Sequence, residues 1–380
     1  MSDPVARAAS PSEPTDPATL MAFSVDTVDA GGAADAMPMG AAADPSAVGA
    51  ESNALAGRPS FHPGAPAWMD LTSHDLEAAR RFYGELFGWT FVDEGESFGH
   101  YHRVLAGDAE IAGIVPARDH DGSPASPEDL PARWAVYLAA EDVDATAAAV
   151  VEAGGELIVP PTTIPGMGRM AYAADPLEVE FGIWEGVELG GFGALGTVGA
   201  PAWFECMSGD TLVAEQFYRD AFGWEMAVMP GSGDAGFWYA TDRAGADAAA
   251  GLCDASSFLP RGEGGYWRMY IAVEDVDATL ERVRDLGGSV LDGPMDSPFG
   301  RLATVADTEG ASFQVIRRAG AGEDADGEGA VADDAAGEGV ALTGSAGAPE
   351  DADTPTSATA VFVAEGDADE APAEDDPEFR

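Results

Sequence analysis

Two acidic residues at matching places in a repeated sequence are the first candidates for chemistry. Asp70 lies in PAWMDLTS, and Glu205 lies at the same place in PAWFECMS, about 135 residues further along the chain. Both segments are predicted β-strands whose alternate side chains line the interior of a sheet. A carboxylate buried there needs an arginine, a ligand cation or a raised pKa. Each acid is therefore a candidate general base or ligand anchor.

The two acids are expected to have different neighbours. Arg268 is predicted on the strand beside that of Glu205, which makes a structural ion pair the alternative to a functional role there. Ala135 takes the arginine's place beside Asp70. The concavity of the first half is therefore expected to be the emptier of the two.

Aromatic residues repeat together with the acids. Trp68 and Trp203 are interpreted either as platforms on which a ligand stacks or as bulky residues that fill a cavity. Tyr137 and Tyr270 form a second matched pair on the inward face, and their hydroxyls need partners if they are buried. All four are candidate ligand-binding residues, and Arg268 and Gln314 are further candidates in the second half.

Two histidines in GHYHRV are the remaining candidates for chemistry in the first half. His100 and His102 are two residues apart, so on one strand they would project to the same face. That arrangement could contact a small ligand or begin a metal site, with Asp70 as a distant third ligand. The alternative is a half-exposed strand without function, since the matching segment GFWYAT has no histidine.

The repeat also predicts the elements that position these residues. In PAWMDLTSHDLEAARRFYGELFGW a strand is followed by a helix that Asp75 caps, and Gly88 ends that helix. The segment EDVDAT, at 141–146 and again at 274–279, begins a second kind of helix. The pattern predicts four β-α-β-β-β modules, which form an α+β protein of two tandem domains at 64–187 and 199–318.

The two ends of the chain differ from this pattern. Residues 1–60 and 319–380 are acidic and of low complexity, and both segments are predicted to be disordered. The N-terminus lacks the features of a signal peptide, no apolar run approaches the length of a membrane span, and two cysteines are too few for a disulfide framework. We therefore expect a cytoplasmic protein.

Charge excludes two classes of partner. The formal net charge is −50, every one of the 18 basic residues is arginine, and residues 60–318 alone hold 42 acids against 15 arginines. Such a field repels nucleic acid and anionic membranes. It also favours a halophilic, salt-accumulating source, although a genome rich in G and C would give the same arginine bias without salt adaptation.

The order of these motifs resembles the vicinal oxygen chelate superfamily of glyoxalases, bleomycin-resistance proteins and extradiol dioxygenases. The layout PAW…FYGELFGW most resembles its two-domain, CFP-30-like branch. Each domain of this family is a cupped, barrel-like sheet that often holds a metal. Its ligand positions fall here on side chains that are poor metal ligands, namely Trp68, Ala135 and Gly182 in the first half and Trp203, Arg268 and Gln314 in the second.

The resemblance and the residues together give one leading hypothesis for function. The protein is expected to bind a small aromatic, neutral or cationic molecule in one or both cups, without a cofactor or metal, as a monomer or homodimer. The alternative is a lyase, isomerase or dioxygenase of the same superfamily that acts on a small organic substrate. A further alternative is that the halves pack together and neither cup is open.

Overall fold

The described part of the chain contains the whole repeated region apart from a few loop residues. The structure, a computed structural model, describes residues 61–119, 122–187, 189–229, 232, 238–257, 259, 264–297 and 299–318. The predictions of disorder for 1–60 and 319–380 lie outside these residues. Within them, no helix is long and apolar enough to cross a membrane.

The first half forms one eight-stranded sheet with two helices. Its elements are β1 (Pro66–Ser73), α1 (Leu76–Phe87), β2 (Thr90–Asp93), β3 (His102–Ala106), β4 (Ala109–Pro116), β5 (Arg133–Ala139), α2 (Val143–Glu152), β6 (Glu156–Ile164), β7 (Gly168–Ala174) and β8 (Glu180–Gly186). The strand order is β2-β3-β4-β1-β5-β8-β7-β6, so the two modules meet at the antiparallel pair of β1 and β5. We call the concave side of this sheet the first cup.

The second half repeats this arrangement. Its elements are β9 (Pro201–Ser208), α3 (Thr211–Phe222), β10 (Ala227–Val228), β11 (Tyr239–Thr241), β12 (Gly251–Asp254), β13 (Gly265–Ala272), α4 (Val276–Asp285), β14 (Ser289–Ser297), β15 (Gly300–Ala306) and β16 (Ser312–Arg318). The order β10-β11-β12-β9-β13-β16-β15-β14 matches that of the first sheet. The predicted α+β fold of two tandem domains built from paired modules is confirmed. The concave side of this sheet is the second cup.

Local sequence explains why the helices begin and end where they do. The Asp75 carboxylate accepts a hydrogen bond of 2.9 Å from the backbone N–H of Ala78, which satisfies a donor that the first turn of α1 leaves free. Gly88 ends the helix at φ 74°, a conformation that costs glycine little. Helix α1 buries Ala79, Phe82 and Tyr83, so its spacing of apolar residues serves the core.

The two domains are joined by reciprocal contacts of the repeated FGW motif. The indole N–H of Trp89 donates to the carbonyl of Gly199, just before β9, at 2.6 Å. The indole of Trp224 donates to the carbonyl of Gly64, just before β1, at 3.1 Å. Each domain therefore binds the chain that enters the other, and one hydrophobic core extends through both.

A buried hydrogen-bond chain also crosses this boundary. The indole N–H of Trp134 donates to the hydroxyl of Tyr83 at 3.0 Å, and this hydroxyl donates to the carboxylate of Asp307 in the other domain at 3.0 Å. Burial raises the pKa of Tyr83, so the phenol keeps its proton for Asp307. The packing of the two halves that the sequence left as an alternative is thus present.

Replacing Tyr83 with phenylalanine is expected to weaken this boundary. Tyr83→Phe leaves Trp134 without its acceptor and removes a donor from Asp307, and buried groups that lose a partner cost about 1–3 kcal/mol each. Urea unfolding should show that the variant has a lower free energy of unfolding than the wild type, by about 1–3 kcal/mol for each group that loses a partner. An unchanged free energy would contradict a structural role for the chain of three residues.

Candidate functional site

The centre of the first cup is a buried carboxylate surrounded by aromatic hydrogen-bond donors. The hydroxyl of Tyr101 donates to Oδ1 of Asp70 at 2.8 Å. The indole N–H of Trp68 lies 2.8 Å from the Tyr101 hydroxyl and 3.1 Å from the same Asp70 oxygen. Asp70 is only 4% exposed. These donors therefore take the place of solvent.

Strand register brings these residues together. Trp68 pairs with Tyr137 and Asp70 with Ala135 across β1 and β5, so all four side chains share the concave face. On the other side Asp70 pairs with Gly113 of β4. A Cβ atom at Gly113 would lie 2.0 Å from the Tyr101 hydroxyl oxygen. Glycine is thus required there for the tyrosine to reach Asp70.

Within the described residues, no arginine pairs with Asp70 to balance its charge. Ala135 occupies the paired position, as the sequence indicates. Burial raises the pKa of Asp70 from its usual value of 3.8 to about 6, and hydrogen bonds from Tyr101, Tyr137 and Trp68 offset part of this effect. This carboxyl group therefore titrates close to neutral pH.

The expectation that the first cup is the emptier one is wrong. Its cavity measures about 30 Å³, which is about the volume of one water molecule. The ring of Tyr137 lies over Gly182, where a Cβ atom would be 1.9 Å from the ring, and Leu189 and Met167 close the space from the other side. Although Ala135 is smaller than the matching Arg268, the first cup has no large open space, because apolar side chains fill it.

The chain between the domains contributes to this closure. After β8 it folds back, and the indole of Trp184 donates to the carbonyl of Leu189 at 2.9 Å. Further on, Phe192 stacks on Trp68 with 5.8 Å between ring centres. Trp68 is 3% exposed as a result. In the first cup the tryptophan therefore fills space and offers no open platform.

The second cup repeats the network around Glu205. The indole N–H of Trp203 donates to the Tyr239 hydroxyl at 2.9 Å, and that hydroxyl donates to Oε1 of Glu205 at 2.8 Å. The hydroxyl of Tyr270 donates to Oε2 at 2.7 Å. Gly251 of β12 permits this arrangement as Gly113 does, since a Cβ atom there would lie 2.1 Å from the Tyr239 hydroxyl oxygen.

Arg268 distinguishes the second network from the first. It pairs with Glu205 across β9 and β13, and its Nε donates to Oε2 of Glu205 at 2.7 Å. Its guanidinium carbon lies 5.4 Å from the centre of the Tyr270 ring. The ion pair that the sequence offered as the structural alternative is thus formed, and both carboxylate oxygens of Glu205 are engaged.

The second cup is open. Its cavity measures about 480 Å³, within the range of about 300–1,000 Å³ that is typical of small-molecule sites. Trp203 is partly exposed here, unlike Trp68. The described lining is mostly aromatic and aliphatic, with few polar groups: Ala202, Trp203, Glu205, Met229, Tyr239, Thr241, Gly245, Ala246, Ala248, Tyr270, Phe299, Leu302, Ile316 and Arg318.

His100 and His102 do not project to the same face of one strand, contrary to the sequence prediction. His100 lies outside the predicted strand at φ 61°, and β3 begins only at His102. His100 is exposed beside Asp93, with 3.2 Å between Nδ1 and Oδ2. His102 is buried, and its Nδ1 lies 2.7 Å from the carbonyl oxygen of His100. The left-handed turn at His100 breaks the alternation on which a shared face depends.

Sequence reasoning missed Tyr101 and Tyr239, which hold the acids. Tyr101 stands between the two histidines that drew attention to GHYHRV, and Tyr239 stands in the matching GFWYAT. The usable signal was a pair of glycines, Gly113 and Gly251, opposite the two acids on the neighbouring strands. A glycine at a sheet position often marks the close approach of another group.

Comparison with known proteins agrees with this architecture. The profile of the Glyoxalase/Bleomycin resistance protein/Dioxygenase superfamily matches residues 65–183 and 202–315. The chain belongs to this superfamily. It is 34% identical over 264 residues to the anthracycline biosynthesis protein DauV of Streptomyces sp. (strain C5), covering 67% of this chain and 94% of DauV.

Two further proteins are similar to this chain over a comparable share of its length. The glyoxylase-like protein CFP32 of Mycobacterium tuberculosis is 34% identical over 266 residues, covering 69% of this chain and 98% of CFP32. A solved structure of a Mn(II)-bound glyoxalase from Novosphingobium aromaticivorans covers 67% of this chain and 82% of its own, with 16% identity and a TM-score of 0.48.

The positions that the sequence comparison aligns with metal ligands make contacts within the protein. In the first cup the position at Gly182 is covered by the Tyr137 ring. In the second cup the guanidinium of Arg268 is bound to Glu205, and the amide of Gln314 is engaged by the hydroxyl of Thr304 through hydrogen bonds of 2.8 and 3.0 Å. Across the described ranges, no three His, Cys, Asp or Glu side chains cluster closely enough to hold a metal.

Asp70 should make stability depend on pH in a definite direction. Its folded-state pKa of about 6 lies above its usual value of 3.8. The folded protein therefore holds a proton that the unfolded chain releases between these two pH values. The resulting stabilisation is complete below about pH 4 and is lost as pH rises to about 6, a loss of about 3 kcal/mol.

The variant Asp70→Asn removes this titration. The difference in unfolding free energy between the variant and the wild type should shift in favour of the variant by about 3 kcal/mol as pH rises from about 4 to about 7. Urea unfolding across that range measures the difference. A difference that stays constant would show that Asp70 does not carry a raised pKa.

Proposed function

We propose that this protein binds a small, largely aromatic organic molecule in the second cup, without a metal ion. The observation that carries the proposal is the open cavity of about 480 Å³ beside Trp203, Tyr239 and Tyr270. Aromatic walls supply a large contact area at low entropic cost, while a few fixed polar groups orient the ligand. The first cup serves as a filled structural counterpart.

The likeness to DauV supports an aromatic ligand. That relative is described as an anthracycline biosynthesis protein, and the aromatic lining of the second cup suits a molecule with fused planar rings. The cavity also offers more room than one benzene-sized ring requires. We therefore expect a ligand of two or more rings rather than a small aldehyde or keto acid.

Loss of the superfamily's metal centre is the second part of the proposal. Arg268 places a cation where the superfamily would hold a metal, and a guanidinium remains charged at any physiological pH. Gln314 would be at best a single weak ligand. Metal-free binding follows, because neither cup retains the two or three anionic or imidazole ligands that such a centre needs.

Calorimetric titration of metal-stripped protein tests both parts. After exhaustive dialysis against a chelator, a naphthol probe should bind with one site per chain. Trp203→Leu removes an aromatic wall of the open cup and should weaken binding about tenfold or more. The matched control Trp68→Phe keeps a ring against Phe192 in the closed cup and should bind as the wild type does.

Two results would contradict the proposal. Binding that disappears with the metal and returns with Mn²⁺ or Fe²⁺ would restore the superfamily's usual centre. Equal losses in the Trp203 and Trp68 variants would remove the distinction between the cups. If chromatography shows that the protein chemically converts a bound probe, that result would instead favour the alternative of a lyase, isomerase or dioxygenase.

We also propose that the protein is adapted to high salt. Residues 60–318 carry 42 acids against 15 arginines, so self-repulsion opposes the compact state at low ionic strength. Exposed acids such as Asp144 and Asp277 pair with Arg169 and Arg301. The acids nevertheless outnumber the arginines that could pair with them. A cytoplasmic location in a salt-accumulating cell is consistent with this charge.

Salt should therefore stabilise the folded protein. Raising KCl from about 0.1 M to about 2 M shortens the screening length to a few ångströms and should raise the thermal unfolding midpoint by several degrees. Differential scanning calorimetry measures the midpoint. If the midpoint does not respond to KCl, genome composition and not salt adaptation would explain the absence of lysine.

A further inference from the structure

We propose that the second cup recognises ligands by their hydroxyl groups, because the polar atoms deep in the cavity are free to accept hydrogen bonds but not to donate them. The ligand class is thus a phenol or polyhydroxylated aromatic rather than its ether or ketone counterpart. This inference rests on the proposed function and adds to it the chemistry that selects the ligand. It follows from assigning each proton of the network around Glu205.

The single hydroxyl proton of Tyr239 is already used in a hydrogen bond within the protein. Its hydroxyl donates to Oε1 of Glu205 at 2.8 Å and accepts the indole N–H of Trp203 at 2.9 Å. A phenol oxygen has one O–H and can accept two hydrogen bonds. What Tyr239 has left for a ligand is therefore a single acceptor site.

The hydroxyl proton of Tyr270 is also used in a hydrogen bond within the protein. Its hydroxyl donates to Oε2 of Glu205 at 2.7 Å. Burial and the charge of Glu205 raise the pKa of both Tyr239 and Tyr270, so each phenol keeps the proton that it donates to the carboxylate. Tyr270 lines the cavity, and its hydroxyl oxygen can still accept a hydrogen bond from a ligand.

The other donors near the floor of the cavity are also engaged. The Trp203 indole N–H is bound to Tyr239, and the Thr241 hydroxyl donates to the carbonyl of Arg243 at 2.6 Å. Arg268 directs its Nε and Nη2 to Oε2 of Glu205 at 2.7 and 2.5 Å, and it is not one of the residues that line the cavity. Among the described lining residues, the donor that faces solvent is the exposed guanidinium of Arg318. The floor of the cup is therefore an acceptor surface.

An acceptor surface discriminates between chemically similar ligands. A ligand hydroxyl placed against Tyr239 or Tyr270 donates to it, whereas an ether or carbonyl oxygen in the same place faces another lone pair. The mismatched ligand loses its water and gains no hydrogen bond, and the tyrosine oxygen is left unsatisfied. Sites of this kind reject the analogue that lacks the donor far better than an apolar pocket can.

The experiment compares two probes of nearly equal shape. A naphthol and the methoxynaphthalene of the same ring position are titrated into the full-length, metal-stripped protein by calorimetry. The naphthol should bind at least about tenfold more tightly. If neither probe binds, both this inference and the proposed function fail. If both bind equally well, the proposed function stands and this inference fails.

Variants identify the atoms responsible. Tyr270→Phe keeps the ring and leaves Glu205 paired with Arg268, and Tyr239→Phe removes the other acceptor. In at least one of these variants the preference for naphthol over methoxynaphthalene should fall to about twofold or less. The matched substitutions in the closed cup, Tyr137→Phe and Tyr101→Phe, should leave the preference unchanged. Retention of the full preference in both second-cup variants would overturn the assignment.

Discussion

A carboxylate buried at the centre of each sheet is the constraint on which the rest of this structure depends. Asp70 and Glu205 lie 4% and 6% exposed, and a charge so placed is unstable without donors around it. In each cup a tyrosine reaches the acid across a glycine of a neighbouring strand, and a tryptophan indole donates a hydrogen bond to that tyrosine.

The two halves differ in the residue beside the acid and in the groups that fill the cup. Arg268 balances Glu205 in the second cup, so that cup can remain open to solvent without leaving a lone buried charge. Asp70 has no such cation, and its surroundings exclude water, which raises its pKa to about 6. The inter-domain chain, through Leu189 and Phe192, completes the closure. The first cup is thus filled, whereas the second keeps a cavity of about 480 Å³.

Much of this fold could be predicted because the determining signals are local and occur repeatedly. The cap at Asp75 and the glycine at 88 define α1, and the pairing of Arg268 with Glu205 follows from strand alternation. The state of the cups could not be predicted in the same way. It depends on where Leu189 folds back and on the turn at His100, which are tertiary and backbone features that no spacing rule encodes. The roles of Tyr101 and Tyr239 could not be predicted from spacing either, because each hydroxyl reaches its acid across a glycine of a neighbouring strand.

The most direct measurement is a crystal structure of the metal-stripped protein soaked with a naphthol. We expect electron density for the probe in the second cup, with its hydroxyl within hydrogen-bond distance of the Tyr239 or Tyr270 oxygen, and the first cup filled by its own side chains. Density for the probe against Asp70, or a metal ion bound in either cup, would contradict the account.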